Sequence, residues 1–279
     1  MEALKNFFKK ETVFCISFLL ACLSALAVRP DLVYLTYPDY RTLALLFCLM
    51  IIVAGFQSLG IFSLLGQALL KKASSLRNLS AIMVLLCFFS SMVITNDVTL
   101  ITFVPFTILV FRMIEKEEKV LKLVVLETIA ANLGSMATPI GNPQNLYLYS
   151  VSGISPVQFA SAVLPYAGLA FIVLMAVIFT GKNETFPEGA VKKQEEKRDG
   201  ELLTKLLPFC MLLLLCLLVV FRIFPYGPVL VCVTAAVLVL NRKLFGSVDY
   251  FLLLTFLCFF VFIGNMKRIP QINELLVSL

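Results

Sequence analysis

The sequence predicts an all-α polytopic membrane protein with an inverted repeat, a re-entrant hairpin and a broken helix, and three observations open the case for it. The chain of 279 residues is 60% hydrophobic and 14% charged, with a mean hydropathy of +0.97. No soluble fold of this size buries so much apolar surface. The apolar residues fall in runs close to the ~20 residues that a spanning helix needs. Two of these runs are interrupted by polar clusters, Thr95-Asn96-Asp97 and Thr138-Pro139-Ile140-Gly141-Asn142-Pro143-Gln144-Asn145. A helix in hydrocarbon does not break unless its freed backbone groups line a buried or watery cavity. Paired breaks are the sequence pointer to a substrate and ion site in a secondary transporter.

The first apolar run, 11–28, follows Lys5, Lys9 and Lys10. Its Ala25-Leu26-Ala27 matches a signal-cleavage pattern, but the run is apolar straight through that triplet and reads as a retained first helix. Further spans are expected at 42–58, 156–180, 205–221, 226–241 and 250–265, with a broken span over 118–152. The stretch 61–70 reads as an amphipathic helix on the inner surface.

Basic residues set orientation. Lys5, Lys9 and Lys10 place the N-terminus in the cytoplasm, and Lys71, Lys72 and Arg77 fall on the same side after two crossings. Arg112, Lys116, Lys119 and Lys122 form a second cytoplasmic cluster. The segment between, 78–113, therefore enters and returns on one side. About 34 residues make roughly 51 Å of helix at 1.5 Å per residue. Two full crossings need about 40 residues plus a turn, so a re-entrant hairpin fits the length better. Charge alone leaves both open, since a double crossing also returns to its starting side. The organisation that follows is a first transmembrane repeat over 1–180, a cytoplasmic linker over 181–205, and a linking span with the start of a second, incomplete repeat over 206–279. The linker carries six basic and six acidic residues.

The repeat is visible at an offset of 210. Asp39-Tyr40 falls on Asp249-Tyr250, Leu43 on Leu253, and Cys48 on Cys258. Charge counting puts Asp39 outside and Asp249 inside, so the copies run in opposite directions, as inverted repeats do. A second copy of Thr95-Asn96-Asp97 belongs near position 305, beyond Leu279.

Several function classes drop out. Histidine and tryptophan are absent, which excludes a His-based triad and a His-ligated metal. No nucleophile–base pair is apparent, so the chain does not read as an enzyme. The eight cysteines lie in apolar runs without a CxxC pair and read as small buried hydrophobes. The net charge of +6 is explained by basic membrane-facing loops rather than by nucleic acid.

At the first break, Asn96 supplies donors and an acceptor, and Thr95 a hydroxyl. Asp97 is an acid within a membrane segment, by default a cation or proton site. An ordinary turn on the far face remains the alternative, since Asn and Asp favour turns. At the second break, Pro139 and Pro143 cannot donate backbone hydrogen bonds. Gly141 admits unusual backbone conformations. Thr138, Asn142, Gln144 and Asn145 offer side-chain oxygens, while Gly134 and Ser135 let another backbone approach closely. Glu127 lies in the apolar part of the same segment, as a candidate for pairing or proton coupling. Arg222 reads as a snorkelling residue at a span end.

Ser91-Met92-Val93-Ile94-Thr95-Asn96-Asp97, followed by Pro105, resembles the first hairpin of the ion transporter superfamily. Asn132-Leu133-Gly134-Ser135-Met136-Ala137-Thr138-Pro139-Ile140-Gly141-Asn142-Pro143-Gln144-Asn145 is similar to the family's unwound helix after that hairpin. The group includes sodium-coupled citrate and dicarboxylate symporters, arsenite permeases and sodium/proton antiporters. The resemblance implies cation-coupled alternating access of the elevator type in a prokaryotic inner membrane, with membrane lipid around the protein and a small anionic solute as substrate. It implies no cofactor beyond a coupling sodium ion or proton, and a homodimer or a partner C-terminal half. Thr95, Asn96, Asn132, Gly134, Thr138, Pro139, Gly141, Asn142, Pro143 and Asn145 would form the substrate and ion site, with Asn96 and Asp97 at a sodium ion. Two features depart from the pattern. The dicarboxylate branch carries a neutral residue where this chain has Asp97, which is closer to the arsenite permeases and antiporters. The family's second hairpin and second unwound helix are not found within these 279 residues.

Overall fold

The computed structural model describes residues 7–9, 11–61, 75–181, 183–185 and 202–270. The amphipathic helix expected over 61–70 and most of the linker expected over 181–205 lie outside them. Ten α-helices are named in order: α1 (Thr12–Ala27), α2 (Tyr40–Ser58), α3 (Leu76–Ser90), α4 (Asn96–Met113), α5 (Val120–Ser135), α6 (Pro143–Ser152), α7 (Pro156–Phe179), α8 (Leu202–Val220), α9 (Tyr226–Leu240) and α10 (Tyr250–Arg268). Among the described residues, α2, α7, α8 and α10 are long and apolar enough to cross a membrane. α1 and α9, expected as spans, have 16 and 15 residues. α1 stops short because Arg29-Pro30 follows, and proline disfavours helix in the residue before it. Upstream, Glu11 and Cys15 donate to the carbonyls of Phe7 and Glu11, which carries the ladder back beyond Thr12.

The chain forms two compact units, residues 1–51 with 226–279, and residues 52–225. In the first, α1 packs along α10. Ser17, Ala21 and Ser24 line the buried face of α1. Small side chains at this spacing let two helices approach closely. The Asn265 amide of α10 donates to the Ser24 hydroxyl at 3.0 Å. Arg268 grips both Asp31 carboxylate oxygens, at 3.0 and 2.8 Å, and also donates to the Tyr37 hydroxyl.

The same unit repeats its local structure at an offset of 210. A 3-10 helix opens at Leu32 in one copy and at Arg242 in the other. Asp31 accepts from the Val33 amide, and Asn241 from the Lys243 amide. Asp39 caps α2 through the Thr42 amide, and Asp249 caps α10 through the Leu252 amide. The Tyr40 hydroxyl donates to the Leu35 carbonyl, and the Tyr250 hydroxyl to the Phe245 carbonyl. α2 and α10 both have 19 residues.

In the second unit, α3, α4, α5 and α7 pack together. α5 is the central element. Its buried positions Leu123, Glu127, Ala130, Ala131, Gly134 and Ser135 recur at helical spacing and are mostly small, so neighbours come close. α7 starts at a capping box, with Ser155 and Gln158 exchanging hydrogen bonds, and Pro156 at its first position. Leu164, Leu169, Ile172, Val173 and Val177 on α7 are exposed. An apolar face of that extent is suited to lipid.

A short strap fastens the base of this unit. Ser75 bridges to Thr185, and the Leu76 amide donates to the Glu184 carbonyl at 2.8 Å. The Glu184 carboxylate pairs with Lys116 at 2.6 Å and Lys119 at 3.4 Å. The Lys116 ammonium, hydrogen-bonded to it, holds the Glu184 carboxyl below the usual carboxylate range, with Lys119 adding to the effect.

Candidate functional site: two interrupted helices meet

α3 and α4 form a helical hairpin. The interruption lies at 91–95, one turn earlier than the sequence suggested: residues 91–93 turn, and Thr95 is the extended N-cap of α4. Asn96 and Asp97 are therefore not turn residues but the first two of α4. A negative side chain there complements the positive end of the helix. Asp97 is exposed and has no hydrogen-bond or ion-pair partner among the described residues.

α5 and α6 are separated by residues 136–142. Asn142 caps α6 by accepting from the Asn145 amide at 2.8 Å, and its own amide group donates to the Ser135 hydroxyl at 3.2 Å. Pro143 occupies the first position of α6, where no backbone N–H is needed. It opens a helix rather than breaking one. Carbonyls released at the end of α5 are collected by one side chain. The Asn145 Nδ2 donates to the carbonyls of Ser135 at 3.3 Å, Met136 at 2.9 Å and Thr138 at 3.1 Å. A Cβ on Gly141 would collide with the Ser135 carbonyl, so the tight return of the chain at this point requires glycine. Pro139 is half-buried within the break, and Gln144 is exposed.

The two interruptions touch. The Asn96 Nδ2 donates to Asn132 Oδ1 at 2.9 Å, joining the start of α4 to the end of α5. Asn132 is held in turn by its amide on the Thr128 carbonyl at 2.8 Å. The Thr138 hydroxyl donates to the Met92 carbonyl, joining the second break to the first. A Cβ on Gly134 would strike the Phe88 carbonyl and the Ser91 hydroxyl, so the end of α3 rests directly on α5. Two helix C-termini, of α3 and α5, and two N-termini, of α4 and α6, thus converge within the second unit. The former present partial negative charge and the latter partial positive charge. No cluster of three or more His, Cys, Asp or Glu side chains occurs among the described residues. Oxygen donors here come from Thr95, Asn96, Asp97 and backbone carbonyls, a set that suits a hard cation.

Of the residues singled out from sequence, Asn96, Asn132, Gly134, Thr138, Gly141, Asn142 and Asn145 are brought into this one network. Thr95 caps without a side-chain bond, and Asp97 stands beside it. Some features were not legible. Glu127 is fully buried and accepts from the Thr107 hydroxyl of α4, with Oε2 unpartnered among the described residues. Arg222, read from sequence as a snorkelling residue, is exposed and has defined partners. It donates to the carbonyls of Gly153 at 2.9 Å and Tyr149 at 3.2 Å and lies over the Tyr149 ring, closing the C-terminal end of α6.

Comparison with known proteins gives the family. The family model described as citrate transporter (CitMHS) matches residues 9–278. The chain is 31% identical over 238 residues to "Inner membrane protein YbiR" of Escherichia coli (strain K12), covering 85% of this chain and 62% of that protein. It is 30% identical over 236 residues to "Uncharacterized transporter MJ0456" of Methanocaldococcus jannaschii, covering 84% of this chain and 62% of that one. It is also 31% identical over 147 residues to "Silicon efflux transporter LSI3" of Oryza sativa subsp. japonica, covering 52% of this chain and 30% of the rice protein. The chain spans about three fifths of the length of the first two relatives. With a hairpin and an interrupted helix meeting at their polar tips, in a chain of apolar helices, the protein belongs to the citrate transporter family of the ion transporter superfamily, a family of membrane transporters.

Proposed function

We propose that this chain carries one half of the site of a secondary active transporter that moves an anionic solute, such as citrate or a dicarboxylate, coupled to sodium or protons. The observation behind the reading is the convergence of four helix ends through the Asn96–Asn132 contact. A sodium ion would sit against Asn96, Asp97 and the negative ends of α3 and α5. The anion would face the positive ends of α4 and α6. Coupling follows if the anion binds well only once the cation has neutralised the pocket, which is a difference in affinity between two states. The second half of the site would come from a matching hairpin and unwound helix, in the same reading frame or in a partner chain. Basic residues at 5, 9 and 10 support a cytoplasmic N-terminus, and the name of the Escherichia coli relative supports a bacterial inner membrane.

The test is uptake of labelled citrate or succinate into proteoliposomes, with and without a sodium gradient, and the same measurement on Asp97→Asn. Sodium- or pH-driven uptake that is lost or altered in the variant is expected. Uptake with unchanged sodium and pH dependence in Asp97→Asn would sink the assignment of Asp97. The exposed, unpartnered Asp97 carboxylate also favours a second reading, because an ionised acid repels an anion unless a cation lies between them. That reading is arsenite export or sodium/proton exchange. It fits a relative named for efflux, and it wins if citrate and succinate are not moved while arsenite or sodium/proton flux is. If the 279-residue chain moves none of these, it is a half-transporter or membrane subunit, and the coding sequence beyond the Leu279 codon shows whether a second polar hairpin follows.

A further inference from the structure

At the end of α3, α5 and α7 opposite the polar tips, a cavity of about 220 Å³ opens between these helices. Arg77, Lys119 and Lys122 line it together with the Ser80 hydroxyl, and no lining residue is acidic. The rest of its wall is apolar and includes Leu123, Leu126, Val177 and Ile178. Leu123 is buried, while Val177, on the exposed apolar face of α7, is 40% exposed. The cavity therefore combines three cationic side chains with an apolar wall that continues onto a lipid-suited helix face.

Three details point to an anionic ligand. Arg77 is oriented by a 2.7 Å hydrogen bond from Nη2 to the Gly181 carbonyl, but its Nε is buried and has no partner among the described residues. A buried guanidinium N–H left without an acceptor is costly, and a phosphate oxygen is the acceptor that its planar fork fits best. Lys122 is exposed and forms no ion pair among the described residues. Lys119 shares Glu184 with Lys116 and holds the longer of the two contacts, 3.4 Å against 2.6 Å. We propose that this cavity binds the phosphate of an anionic phospholipid, with Arg77, Lys119 and Lys122 on the headgroup and an acyl chain lying over Leu126 and Val177. A free phosphate offers the same acceptor oxygens but leaves the apolar wall uncovered, which is why the lipid is the favoured source. Basic pockets between membrane helices hold such headgroups by the same physics. The site is independent of the transport reading, since it needs only membrane insertion.

The experiment is native mass spectrometry of the purified chain, titrated with phosphatidylglycerol, with phosphatidylcholine of the same acyl chains, and with inorganic phosphate. Phosphatidylglycerol is expected to bind at least tenfold more tightly than phosphatidylcholine. Each cation near a headgroup is worth about a fivefold change in affinity, so Lys122→Gln should weaken binding about fivefold and Lys119→Gln with Lys122→Gln about 25-fold. Arg242→Gln with Lys243→Gln, outside the cavity, should leave it unchanged. Circular dichroism checks that each variant is folded. Exposed Lys122 is the variant least able to disturb the fold, so its result stands if Arg77→Gln does not express. The proposal is overturned if the two lipids bind alike, if the double lysine variant keeps wild-type affinity, or if inorganic phosphate displaces the lipid at equal concentration.

Discussion

Replacing Asn145 tests whether the second interruption is held by one amide. Its Nδ2 contacts three carbonyls, at 2.9, 3.1 and 3.3 Å, yet carries only two hydrogens. The three contacts therefore share about two full hydrogen bonds. Asn145→Leu keeps the size and removes both. At about 1 kcal/mol net per bond, plus the cost of leaving carbonyls such as that of buried Ser135 unsatisfied, the loss comes to about 2–4 kcal/mol. For a chain of this length that lowers a thermal midpoint by about 3–7 °C. The assay is thermal unfolding of detergent-purified protein, followed by circular dichroism. Gln144→Leu, one residue away and exposed, serves as the control and should not move the midpoint. Asn145→Asp should be worse than Asn145→Leu at neutral pH, because it sets acceptor oxygens against three carbonyls. If Asn145→Leu melts within a degree of wild type, or if the Asp and Leu variants behave alike, the carbonyl clamp is not what holds the break.

Two further outcomes are expected. Gly134→Ala drives a methyl group into the Phe88 carbonyl and should cost about 1–3 kcal/mol, read as a lowered melting midpoint, whereas Gly168→Ala on α7, which meets nothing within 4 Å, should be tolerated. Glu184→Gln should lower the midpoint at neutral pH and have no effect in acid. The folded-state Glu184 carboxyl is depressed by Lys116, so its stabilisation is present above the unfolded carboxylate pKa and fades as pH falls through the folded value. A midpoint difference that persists unchanged at low pH would contradict the pairing.

Apolar spans and helix starts were legible because their signals are local. The Ser155-Pro156 pair with Gln158 announces α7, and Asp249 announces α10, each through a cap within three residues. At Asn96 and Asp97 the polar interruption was legible but local propensity left an ordinary turn open as the alternative, because the helix that contains them is set by packing on α5. At the second break the residue types were visible, but not which atom faces which. Asn145 looked like a donor of oxygens, and it spends its nitrogen on three carbonyls instead. Arg222 and Glu184 were obscure for the same reason. Their partners lie 69 and 68 residues away, at Gly153 and Lys116, beyond any local pattern.

The caps repeated at an offset of 210 also set an order of folding. Each is built on contacts within six residues, such as Asp31 with Val33 and Tyr40 with Leu35, or Asn241 with Lys243 and Tyr250 with Phe245. Contacts that short need little loop closure and form as soon as the residues leave the ribosome. The junction of the two interruptions waits for pairs separated by 36 and 46 residues, Asn96 with Asn132 and Thr138 with Met92. The helix starts are thus committed early, and the polar tips are assembled after them, from elements whose beginnings are already fixed.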